Sequence, residues 1–111
     1  MRLGLFDSGV GGFTVLRKVI ELYPNNSFIY LADTARLPYG IKTNNEIIKI
    51  AEEISLWFSY QKIDALLVAC NTTNAIALDV IKKKLGVPVF DLIESSASTI
   101  KDSRVGVLAT P

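Results

Sequence analysis

Residues 65–90 read ALLVACNTTNAIALDVIKKKLGVPVF, and this stretch decides the fold. Ala65–Ala69 is a short apolar run without strict alternation, the pattern of a strand covered on both faces. A helix opens near Thr72 and carries Ile76, Ala77, Val80 and Ile81 at helical spacing. Gly86 stops it and Pro88 follows, the usual order of C-terminal signals. The triplet Lys82, Lys83 and Lys84 reads as a complement to the carbonyl end of that helix. Val87–Leu92 then forms the next strand, which completes a β-α-β unit with parallel strands.

The same alternation extends outward on both sides. Leu3–Phe6 and Phe28–Ala32 read as earlier strands, and Val105–Ala109 as a later one. A helix is predicted over Gly12–Leu22, with Val15, Leu16, Val19 and Ile20 on one face and Pro24 beyond its end. Thr43-Asn44-Asn45-Glu46 fits a capping box for the next helix. Ile47, Ile50, Ala51, Ile54, Trp57 and Phe58 follow at helical spacing, which makes Trp57 and Phe58 core residues. A weaker helix covers Ile93–Ile100. Strands alternating with helices predict a doubly wound parallel α/β sheet.

The composition narrows the function. The 111 residues are enough for one domain with a hydrophobic core, and 50% of them are apolar. Lys and Arg number 12 against 11 acids, a net charge of +1, which gives no electrostatic reason to expect nucleic acid or a membrane surface as partner. No run approaches the roughly 18–20 apolar residues of a membrane span, and Met1–Arg2 leads straight into strand with no signal peptide, so a cytoplasmic location is expected. One cysteine excludes an internal disulfide, and the lack of histidine argues against a zinc site or a serine–histidine pair. Proton transfer would then fall to Cys, Asp, Glu, Lys or Tyr.

Ligands of open α/β sheets bind outside the carboxyl ends of the strands. The loops there read Asp7-Ser8-Gly9-Val10-Gly11-Gly12, Asp33-Thr34-Ala35-Arg36-Leu37-Pro38-Tyr39-Gly40 and Cys70-Asn71-Thr72-Thr73-Asn74. Their polar and glycine content points to a small polar ligand. A dinucleotide is disfavoured, because the G-x-G-x-x-G template would need glycine where Thr14 stands and Asp7 would face the pyrophosphate. A zwitterion suits the loop better: Asp7 accepts from an ammonium group, while Ser8 and the loop amides donate to a carboxylate. From the loop alone, Asp7 or Ser8 as a plain helix cap is equally good. Cys70 closes a buried strand and precedes a helix, where the dipole favours an anion. Position by itself leaves reactive thiol and buried small hydrophobe both open.

These three loops resemble the N-terminal signatures of bacterial glutamate racemases, within the aspartate/glutamate racemase family. The resemblance rests on Asp7-Ser8-Gly9-Val10-Gly11-Gly12, Pro38-Tyr39-Gly40 and Cys70-Asn71-Thr72, and it runs through the whole chain. It implies a cofactor-free, metal-free isomerase in which two cysteines flank the α-carbon of glutamate and move its proton from one face to the other. Cys70 matches the N-terminal cysteine of that pair. Asp7 matches a residue that assists proton transfer and holds the ammonium group. Ser8, Tyr39, Gly40, Asn71 and Thr72 match substrate-binding positions. The resemblance further implies D-glutamate supply to peptidoglycan synthesis and a homodimer for the full-length protein.

The chain departs from the family pattern at Thr73, Asn74 and Ser95, where smaller residues and a proline are usual. Family chains are also about twice as long and fold into two similar domains. Residues 1–100 correspond to the first domain and residues 101–111 to the first strand of the second. The second cysteine would lie beyond Pro111.

Overall fold

The computed structural model describes residues 1–111. β1 (Arg2–Asp7) is the strand on which the sheet is built. It pairs in parallel with β2 (Ser27–Ala32) along its whole length, and with β3 (Ala65–Val68) on its other edge. β4 (Val89–Asp91) adds in parallel beyond β3, giving the order β2-β1-β3-β4. The chain first winds one way, from β1 to β2, and then the other way, from β3 to β4. Right-handed crossovers therefore put α1 (Phe13–Leu22) on one face and α2 (Asn44–Tyr60) with α3 (Asn71–Leu85) on the opposite face. This is the doubly wound parallel α/β arrangement that the sequence predicts.

The main core lies between the sheet and the α2–α3 pair. It gathers Phe6, Leu66 and Val68 from the strands, Ile47, Ala51, Ile54 and Phe58 from α2, and Ala77 and Ile81 from α3. Strand side chains alternate between faces, so Gly4 joins Phe6 on this side and has no side chain of its own. A Cβ there would lie 2.9 Å from Phe58, 3.0 Å from Ile63 and 3.1 Å from Leu66. The glycine is what lets the aromatic ring of α2 settle onto β1.

The helix ends are where their signals place them. Thr43 Oγ1 accepts from the Glu46 amide at 3.3 Å, and Glu46 returns the bond by accepting from the Thr43 amide at 2.7 Å. α3 stops at Gly86, whose φ of 63° is left-handed, with Lys82, Lys83 and Lys84 in the last turn.

Several expectations are corrected. Helix α3 begins at Asn71, with Cys70 itself as the N-cap. β4 is shorter than Val87–Leu92 because Asp91 caps α4 (Leu92–Ala97), accepting from the Glu94 amide at 2.7 Å. α4 stops at Ala97, short of Ile100. Trp57 sits edge-on to Phe58 but is 37% exposed, because its position turns away from the sheet. No residue of α1 is buried; Val15, Leu16 and Val19 are only half-buried and Ile20 is exposed. Beside α1 the sheet face is open, as a groove of about 370 Å³ lined by residues including Leu3, Leu5, Val19, Tyr23, Leu67 and Phe90.

Val105–Ala109 forms no strand, and Val105, Val107 and Leu108 are exposed. An isolated extended segment has no ladder to satisfy its backbone, and it pairs with none of the four strands of this sheet. No helix of the chain is long and apolar enough to cross a membrane.

Gly4→Ala tests the packing. The added methyl group meets three buried side chains, so stability should fall by about 2 kcal/mol. Urea unfolding reads this directly, and an unchanged midpoint would mean that the α2 face has spare room.

Candidate active site

The pairing of β1 with both neighbours fixes the site. Phe6 stands opposite Leu31 and Val68, so the three strands end side by side. The ladder even continues one step past them: the Asp33 amide donates to the Asp7 carbonyl at 3.1 Å, and the Ala69 amide donates to the Phe6 carbonyl at 2.7 Å. Asp7, Asp33 and Cys70 are thereby held at one edge by backbone hydrogen bonds alone.

Asp7 is 8% exposed, and both its carboxylate oxygens are engaged. Oδ1 accepts from the Ser8 amide at 2.8 Å and Oδ2 accepts from the Gly12 amide at 2.7 Å. Both donors precede α1, whose N-cap Gly12 has no side-chain cap bond, so the helix-cap reading of Asp7 gives way to loop binding. It does not exhaust the group, since a carboxylate offers about four lone-pair sites. Gly12 is forced by close approach. A Cβ there would lie 2.6 Å from the Tyr30 hydroxyl, 2.9 Å from Asp7 Cβ and 3.1 Å from Ala69 Cβ.

Cys70 is 4% exposed and shares the core cluster with Phe6 and Tyr39. Its carbonyl accepts from the Asn74 amide at 2.9 Å, the first bond of α3. Asn71 and Thr72 form the opening of that helix, where backbone amides lack partners within the helix. Asn74 is buried, and its side-chain amide donates to the Val68 carbonyl at 2.9 Å. Asn74 therefore clips the end of β3 to the first turn of α3, next to the cysteine.

Tyr39 is 2% exposed, with its ring 6.4 Å from that of Phe6. Its hydroxyl donates to Asp33, whose Oδ2 also accepts from Arg36 Nε at 2.6 Å. Arg36 in turn reaches Glu53 of α2 at 2.5 Å. Burial and the Asp33 carboxylate push the Tyr39 phenol far above its ordinary range, so it stays a neutral donor. With the hydroxyl committed to Asp33, what Tyr39 and Gly40 offer a ligand is the start of a short 3-10 turn over Tyr39–Ile41. Gly40 also faces the chain's end: a Cβ there would lie 3.5 Å from Thr110.

All the site residues singled out in the sequence, Asp7, Ser8, Tyr39, Gly40, Cys70, Asn71 and Thr72, lie at this edge, with Asp7 ending β1 and Asn71 and Thr72 opening α3. The sequence reading missed the network of Asp33, Arg36 and Glu53. Asp33 and Arg36 stand three residues apart in the loop that also holds Tyr39, which was the available signal. It missed Tyr30 as well, which reaches the glycine loop from the middle of β2. No three histidine, cysteine or acidic side chains come together in a way that could hold a metal ion.

Residues 12–111 match the Asp/Glu/Hydantoin racemase family. The chain belongs to that family. It is 83% identical to the glutamate racemase of Prochlorococcus marinus over all its 111 residues, which make up 42% of that relative. It therefore spans about two fifths of the length of the curated relatives it matches. Among solved structures, glutamate racemase from Aquifex pyrophilus superimposes with a TM-score of 0.85 at 44% identity, over 88% of this chain and 39% of that one. The Francisella tularensis glutamate racemase, crystallised with D-glutamate, gives a TM-score of 0.84 at 38% identity, over 87% of this chain and 37% of that one.

Tyr30 gives the site a titration signature. Burial and the neighbouring Asp7 carboxylate push its phenol up from 10.0 to about 12. The folded state therefore holds this proton more tightly than the unfolded state does. Its stabilising contribution is complete below pH 10 and is lost as the pH rises toward 12. Phenolate absorbance should show a late step near pH 12 that Tyr30→Phe removes. A variant with the same late step would assign that step to another tyrosine and remove it from Tyr30.

Proposed function

We propose that the full-length protein interconverts L-glutamate and D-glutamate without a cofactor, and that Cys70 is one of its two proton-transferring thiols. The observation that carries this reading is that Tyr39 and Cys70 pack together with Phe6, and that the strand ladder sets Asp7 at the same sheet edge, in a chain of this family.

Cys70, as thiolate, takes the proton from Cα. The C–H bond breaks, and its electron pair stays on carbon as a carbanion stabilised by the neighbouring carboxylate. A second thiol on the opposite face gives a proton to that carbon and becomes the thiolate. The two thiols exchange roles in the reverse direction, so no oxidant, metal or cofactor is consumed. The second thiol comes from outside these 111 residues, which contain one cysteine. Residues 101–111 lead into the domain that carries it.

The loops supply the electrostatics. Asp7 takes the substrate ammonium and assists proton transfer at Cys70. Ser8, Asn71 and Thr72 bind the carboxylates. The opening amides of α3 and of the Tyr39–Gly40 turn face the charge that grows on the substrate, where fixed donors in a dry site are most effective. The product would feed peptidoglycan synthesis in the cytoplasm, with the full-length enzyme acting as a homodimer.

Incubation of the full-length protein with L-glutamate in deuterium oxide tests this reading by circular dichroism and α-deuteration. Cys70→Ala should lower turnover by at least about a thousand-fold. Asp7→Asn should lower kcat more than it raises KM. Residues 1–111 alone should not racemise, since a stereocentre inverted by two opposed bases needs a group on each face. Inversion of aspartate in place of glutamate would move the assignment within the family. Full activity of Cys70→Ala would remove the thiol from the mechanism.

A further inference from the structure

Tyr30 lies on β2, a strand that contributes no residue to the proposed chemistry, yet its side chain reaches into the glycine loop after β1. Its hydroxyl donates to the Gly9 carbonyl at 3.0 Å, and its ring stacks on Phe13 of α1, with centroids 4.5 Å apart and an interplanar angle of 27°. The space around the hydroxyl is closed, since a methyl group on Gly12 would stand 2.6 Å from it. Beside it lies the Asp7 carboxylate, held by the amides of Ser8 and Gly12 at 2.8 and 2.7 Å. These two amides flank Gly9 in the chain. The loop that orients Asp7 is thus tied by its middle to a phenol from the neighbouring strand.

We infer that Tyr30 is a positioning residue for Asp7: its hydroxyl pins the Ser8–Gly12 loop whose amides hold the Asp7 carboxylate at the mouth of the site. The inference rests on the reading of Asp7 as part of the proton-transfer machinery. The hydroxyl acts on Asp7 through the loop it holds and through its own closeness to the carboxylate. Without the hydroxyl the Gly9 carbonyl loses its partner, and the glycine-rich loop keeps only the ties at its helix end, from Phe13 and Thr14 to Val10 and Gly11, and those to Asp7 itself. Loss of placement at a reacting group costs rate far more than binding, and a shift of about 1 Å is enough for a hundred-fold effect.

The experiment uses the full-length protein and the variants Tyr30→Phe, Asp7→Asn and their combination. Tyr30→Phe keeps the ring and its stack on Phe13 and deletes only the hydroxyl. With L-glutamate as substrate, kcat should fall about ten-fold while KM changes by less than about three-fold. In the Asp7→Asn background the same change should cost less than about two-fold, since the group being positioned is already disabled. A role in fold stability alone predicts the same factor in both backgrounds, or a lower melting temperature with kinetics unchanged, and either result overturns the inference. Amide hydrogen exchange supplies a readout independent of activity. The Ser8 and Gly12 amides should exchange about ten-fold faster in Tyr30→Phe. Unchanged exchange at both amides also overturns it. A wild type that leaves glutamate unaltered would sink the functional reading, and the exchange rates would still decide whether Tyr30 holds the loop.

Discussion

The parallel hydrogen bonding of β1 to β2 on one side and to β3 on the other is the constraint on which the rest of the molecule depends. Parallel strands all point the same way, so their carboxyl ends share one edge. Because β1 is central, its glycine loop falls between the loops that follow β2 and β3. Residues separated by dozens of positions in the chain are brought there by the backbone ladder. The Asp33 and Ala69 amides extend the two ladders past the strands, and this brings Asp7 and Cys70 into one neighbourhood.

Side chains then refine what the ladder has placed, and each loop is held in a different way. The loop after β1 is wrapped around the Asp7 carboxylate and tied to β2 by Tyr30. The loop after β2 is held by an ionic brace running from Tyr39 through Asp33 and Arg36 to Glu53. The loop after β3 has no free segment at all, since the strand passes into α3 through Cys70 and is clipped by Asn74. Glycine at position 12 is what allows the first and third of these loops to approach. A site of this kind is preorganised by its backbone, which suits chemistry that needs fixed donors around a short-lived charge.

The two faces of the sheet are finished to different degrees. The α2–α3 side carries a closed core around Phe6, Phe58, Leu66 and Ile81. The α1 side carries one helix with no buried residue and an open apolar groove beside it. The contrast accounts for the pattern of errors in reading the sequence. Apolar spacing identifies the face a helix turns inward, as for α2, but it does not report whether anything covers that face, as for α1. Trp57 shows the same limit on a smaller scale, since spacing placed it with Phe58 while packing left it at the rim.

By itself the sequence determined the order of strands and helices as far as α4, the parallel α/β class, the capping box at Thr43, the stop at Gly86 and the three polar stretches that follow the strands. All of these follow from local signals: hydrophobic period, cap residues and glycine placement act over a few neighbouring positions. The tertiary structure decided the rest. It chose the strand order that makes β1 central, gave both oxygens of Asp7 to loop amides, committed the Tyr39 hydroxyl to Asp33, and brought Tyr30 across from β2. It also left Val105–Ala109 without the strand its composition suggested. A hydrogen bond between side chains far apart in sequence, like a strand's need for a partner, depends on which surfaces meet. No local pattern encodes that choice, which is fixed only when the sheet has formed and its loops are brought to the same edge.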